Sequence, residues 1–74
     1  MAITIKLNDR LQAEEEQWLA KNIGPRMHYL HNSIGGQGWI AKMEKYSRYN
    51  VPNTWTLTLE DDRYATIFLL MFPQ

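Results

Sequence analysis

The chain has 74 residues, enough for one domain, and a domain so short buries only about 60 % of its unfolded surface. It contains no cysteine, which excludes disulfides and thiolate metal sites; cohesion must come from three Trp, four Tyr and two Phe, from self-association, or from docking on a partner. Eight basic and eight acidic residues cancel, and a neutral domain is poorly matched to non-specific duplex binding, which needs several unopposed phosphate contacts.

Ile3, Ile5 and Leu7 alternate with Thr4 and Lys6, a period-two pattern that predicts a strand. Asn8 or Asp9 then caps a predicted helix, with Asp9 and Gln12 spaced as a capping box. The helix is expected to run to about Asn22, with Leu11, Trp18, Leu19 and Ile23 as its apolar stripe. Glu14, Glu15 and Glu16 read as a solvated face near the positive end of the helix dipole. Gly24 suits a left-handed C-terminal cap, and Pro25 forbids continuation.

Residues 25–34 admit two readings. Met27, Leu30 and Ile34 are helix-spaced, whereas Met27 to His31 also reads as a short strand leading into a loop from Asn32 to Gly38. The strand is preferred, which makes Gly35-Gly36-Gln37-Gly38 a hairpin loop. A strand from Trp39 to Tyr46 follows, with Trp39, Ala41 and Met43 on one face and Ile40, Lys42, Glu44 and Tyr46 on the other. Ser47 to Thr54 is a turn region, and Trp55, Leu57 and Leu59 alternate with Thr56, Thr58 and Glu60 in a strand expected to pair antiparallel with 39–46. After Asp61 and Asp62, the segment to Phe72 places Ala65, Phe68, Leu69 and Phe72 at helical spacing. It is apolar nearly all round, so a buried strand rivals the helix that the two acids favour. The expected fold is α+β: a three- to four-stranded antiparallel sheet with two helices packed on one face, in the order β-α-β-β-β-α, as one domain over residues 1–74.

The chemistry-bearing clusters have bland explanations. His28 and His31 would point to opposite faces of a strand, and zinc needs three or four converging ligands, so no metal or cofactor is expected. The glycine stretch lacks the phosphate-loop Lys-Ser/Thr and the dinucleotide pattern. Glu60, Asp61 and Asp62 sit where acids cap helices. No nucleophile–base arrangement is legible around Ser33 or Ser47, so an enzyme is not expected. The start, Met1 to Lys6, is not a signal peptide, and the longest apolar run, Ile67 to Phe72, is far short of the roughly 20 residues of a spanning helix. A cytoplasmic, non-membrane protein is therefore expected.

Charge is partitioned along the chain. Residues 1–20 carry −2 (Lys6 and Arg10 against Asp9, Glu14, Glu15 and Glu16), 21–50 carry +4 (Lys21, Arg26, Lys42, Lys45 and Arg48 against Glu44), and 51–74 carry −2 (Arg63 against Glu60, Asp61 and Asp62). The central segment combines Arg26, His31, Ile40, Lys42, Tyr46, Arg48 and Tyr49, residue types that anchor interfaces, and these are the candidate partner-binding residues. A protein partner fits best. Single-stranded nucleic acid, whose bases stack on aromatic rings beside cations, is the alternative, and a structural homo-oligomer the third reading.

Two stretches carry a resemblance. They are Ile23-Gly24-Pro25-Arg26 with Tyr29-Leu30-His31-Asn32 and Gly35-Gly36-Gln37-Gly38-Trp39, and Trp55-Thr56-Leu57-Thr58-Leu59-Glu60-Asp61-Asp62 with Ala65, Phe68, Leu70 and Phe72. Together they resemble short open reading frames of tailed bacteriophages, which often end in a strand, an acidic turn and an Ala-x-x-Phe-x-Leu-x-aromatic segment. The resemblance implies a small accessory protein made in the bacterial host cytoplasm that binds and modulates a host machine such as a polymerase, nuclease or defence complex. It assigns no residue a catalytic or binding role.

Overall fold

The computed structural model describes residues 1–44 and 54–74. Along the chain these form β1 (Ile3–Leu7), α1 (Ala13–Asn22), β2 (Arg26–Leu30), β3 (Ser33–Gly36), β4 (Trp39–Glu44), β5 (Thr54–Leu59) and α2 (Arg63–Met71). The strands make one antiparallel sheet in the order β1-β5-β4-β3-β2, so β1 and β2 are its edges. The fold is α+β with five strands rather than three or four.

The additional strand is β3. Ser33 to Gly36 pairs with β2 on one side and β4 on the other, so Gly35 and Gly36 lie inside the sheet and the connection to β4 is only Gln37-Gly38. Of the glycines, Gly38 has a positive φ, +85°, as a tight turn demands. Gly24 does not adopt the left-handed cap expected of it: α1 closes through Ile23, with both Ile23 N and Gly24 N donating to the Leu19 carbonyl. Residues 26–30 are the preferred strand, bulged between Arg26 and His28.

The period-two strands set the core. Trp55, Leu57 and Leu59 of β5 point inward, with Ile5 and Leu7 opposite on β1, Trp39 and Ala41 on β4, and Ile34 on β3. Leu19 of α1 and Ala65 and Phe68 of α2 close the same cluster, so both helices cover one face of the sheet. Each fully buried Leu or Phe there contributes about 2–3 kcal/mol through lost apolar surface. Trp18 seals the seam between the helices, meeting Tyr64, Phe68 and Phe72 edge-on at 6.5, 5.9 and 6.5 Å between ring centroids. The other face of the sheet is covered by no element among the described residues.

Helix boundaries follow their caps. α1 starts later than expected because Leu11 turns into the core before the helix begins. The capping box is Gln12 with Glu15, not Asp9 with Gln12: Gln12 N donates to Glu15 Oε1 at 2.8 Å. The 62–72 segment is the helix, not a buried strand, and Asp61 rather than Asp62 locks its start. Arg63 N donates to Asp61 Oδ1 at 3.0 Å, and the Arg63 guanidinium reaches both carboxylate oxygens. Among the described residues no helix is long and apolar enough to cross a membrane.

Candidate interaction surface

On the uncovered face the register places outward side chains in rows across the strands. Lys6, Thr56, Lys42, Ser33 and Leu30 form one row; Thr4, Thr58, Ile40, Gly35 and His28 form the next. Neighbouring strands lie about 4.8 Å apart, so Lys6 and Lys42, two strands apart, are rooted roughly 10 Å from each other with Thr56 between them. Both lysines and Thr4 are exposed, and Ile40, Thr56 and Thr58 are half-buried. The Thr4 and Thr58 hydroxyls share a hydrogen bond of 3.1 Å. His28 lays its ring on Gly35 and bonds Ser33 Oγ through Nε2 at 2.9 Å. Glu44 stands at the open end of β4 beside Thr54. Two ammonium groups, a line of hydroxyls and one central aliphatic side chain make a flat surface suited to carboxylate and carbonyl acceptors around a small apolar contact.

The sequence-predicted binding residues fall in different places. Ile40 and Lys42 are adjacent on the open face, with Thr56 and Thr58. Arg26 is on the opposite, helix-covered side. It sits across from inward Gly36, donates to Glu16 Oε1 at 3.0 Å, and places its guanidinium 5.2 Å from the Tyr29 ring centroid. His31 is in the β2–β3 turn, exposed, and its carbonyl accepts from Arg10 Nη1 at 2.8 Å. Tyr46, Arg48 and Tyr49 lie outside the described residues. Lys6 and His28 complete the face and were missed as binding residues. Lys6 was legible, since the alternation of β1 already sets it on the side opposite Ile5 and Leu7.

Helix-side charges are engaged in structure. The Glu14-Glu15-Glu16 run is not a uniformly solvated face: Glu15 is buried and closes the α1 capping box, Glu16 pairs with Arg26, and Glu14 is exposed. Arg10 is sandwiched between the rings of Tyr29 and Trp55, 5.3 and 5.0 Å from their centroids. Paired with Arg63, Asp61 has its carboxyl pulled down to about 2, chiefly by the side-chain hydrogen bond, then by the Arg63 backbone N–H.

A shallow cleft of about 270 Å³ opens where the β1–α1 loop meets the end of the described chain, lined by Asn8, Arg10, Glu15 and Gln74 among others. Its carboxylates are engaged: Asp9 Oδ1 accepts from Arg10 N at 2.7 Å, and Glu15 accepts from Gln12 N through Oε1 and from Gln74 Nε2 through Oε2 at 3.1 Å. Among the described residues no three His, Asp or Glu side chains converge as ligands to a metal would. No known protein family, curated protein or solved structure matches the chain.

Proposed function

We propose that this chain is a protein-docking module that seats its open sheet face on an acidic surface of another protein and inhibits it. The observation that carries the reading is the row Lys6–Thr56–Lys42, beside Ile40, on a sheet face that no described element covers. Five strands span roughly 20 Å, which suits one side of a standard interface of about 800 Å². Exposed cations at such a surface steer encounter and set register with an acidic partner. The resemblance to short phage reading frames makes a bacterial host machine the expected target.

The same face fits single-stranded nucleic acid less well. Base stacking needs aromatic rings on the surface, and the tryptophans of β4 and β5 point inward, Trp39 2 % and Trp55 5 % exposed. Among the described outward residues only the His28 ring is flat, and it lies down on Gly35.

Affinity capture from bacterial lysate tests the proposal. The wild type should retain a protein that Lys6→Glu/Lys42→Glu loses and that Glu14→Lys, on the helix side, keeps. Identical captures by wild type and the double variant, or none, refute it. A gel shift with single-stranded oligomers at low salt, steeply salt-sensitive, would replace it with the nucleic-acid reading.

A further inference from the structure

Both the outer edge of β1 and the outer surface of α2 are unpartnered, and they lie on the same flank. β1 is hydrogen-bonded to β5 on one side and to no described strand on the other. α2 runs along β1 from end to end: Asp62 N donates to the Met1 carbonyl at 3.1 Å at one end, and Asn8 N donates to Gln74 Oε1 at 2.9 Å at the other. Its seam with α1 is made by Tyr64, Phe68 and Phe72, and Ala65 turns down into the core. The remaining surface of the helix exposes Thr66 among apolar side chains, Ile67 49 %, Leu69 39 %, Leu70 76 % and Met71 57 %, with Ile3 of β1 at 38 %. The single charge on α2, Arg63, is held by Asp61.

We propose that a second copy of this chain occupies this flank, pairing β1 antiparallel with its own copy across a twofold axis and bringing the two α2 helices together. The surface names its occupant in three ways. An open strand edge takes another strand, because only a strand satisfies its backbone groups in ladder geometry. β1 is self-complementary under a twofold. In a register centred on Ile5, Ile3 of one chain stands opposite Leu7 of the other on the core side, and Thr4 opposite Lys6 on the open side, so apolar meets apolar and the ammonium stays in water. Edge pairing also takes Leu69 and Leu70, which helical spacing turns away from the α1 seam, out of water together with Ile3 and the β1 backbone.

The other edge lacks this match: β2 is bulged between Arg26 and His28, a device that turns an edge away from pairing. The dimer leaves the open sheet face free and is independent of what docks there.

Sedimentation equilibrium over about 5 to 500 µM reads the assembly. The wild type should be a dimer. Leu70→Glu, an exposed position, should weaken it at least tenfold with unchanged circular dichroism, and Met27→Glu on β2 should leave it intact. Because the chain has no cysteine, Thr4→Cys/Lys6→Cys should cross-link as a covalent dimer on oxidation. A monomer throughout, an assembly that Leu70→Glu leaves intact, or one that Met27→Glu breaks overturns the proposal.

Discussion

Gly35 and Gly36 are neighbours in β3, yet the two rings that lie on them make unequal demands. A Cβ on Gly36 would sit 2.5 Å from Trp39 Cε2 and Nε1 and 2.6 Å from the Pro25 carbonyl. Trp39 cannot yield, because it is buried and its Nε1 donates to the Gly24 carbonyl at 2.7 Å. A Cβ on Gly35 would run into His28 Cε1, but that ring is on the open face of an edge strand and can swing away, giving up its bond to Ser33. Gly36→Ala should therefore cost about 2–3 kcal/mol through overpacking, and Gly35→Ala about 1 kcal/mol, the worth of one hydrogen bond. Urea unfolding of the two variants checks this; equal losses would mean that Trp39 is free to move.

At the scale of elements, α2 shows how a short helix is started by side-chain chemistry. The carboxylate of Asp61 holds the backbone N–H and the guanidinium of Arg63 together, which lowers its pKa from 3.8 to about 2. Because the folded value is depressed, the stabilisation is fully present above the unfolded value and is lost as pH falls through about 2. Carboxyl chemical shifts followed by NMR should report Asp61 titrating near 2, and Arg63→Ala should return it toward the ordinary range; a normal value in the wild type would dissolve the lock.

Strict alternation made β5 and β4 readable, because every inward position is Trp, Leu, Ala or Met and β5 presents threonine outward. β3 was unreadable for the reason just given: glycines that look like turn-makers serve as floors for rings contributed by β2 and β4. The α1 start was misplaced because Asp9 and Asn8 are better caps by type than Gln12, but the burial of Leu11 decides where the helix can begin. The all-round apolar pattern of α2 did not distinguish helix from strand, and its excess of apolar residues is the exposed surface of Leu70 and Met71.

For the whole molecule, the sheet is unevenly supported. β5 is flanked by β1 and β4 and carries fully buried Leu57 and Leu59, whereas β2 has one neighbour and exposes Met27, Tyr29 and Leu30. Native-state hydrogen exchange should find the amides of β5 and its β4 partner the slowest, and those of β2 among the first strand amides to exchange. A β2 that outlasts β5 would mean that the Arg10–Tyr29–Arg26 stack binds that edge more firmly than ladder hydrogen bonds do. The open face was partly legible for a related reason. Ile40 and Lys42 share a strand, so period two placed them together, but Arg26 belongs to a bulged edge whose facing depends on a three-dimensional contact with Glu16.

The pairing of β1 with β5 carries a consequence for biosynthesis. Ile3 waits for Leu59 and Leu7 for Trp55, so β1 is completed only by β5, which follows α1 and three further strands. Joining segments so far apart in sequence carries a large loop-closure entropy and slows folding. On the ribosome Ile5 and Leu7 stay without their ladder until β5 has left the exit tunnel, and the β2–β3–β4 meander, whose contacts are local, is ready to assemble first.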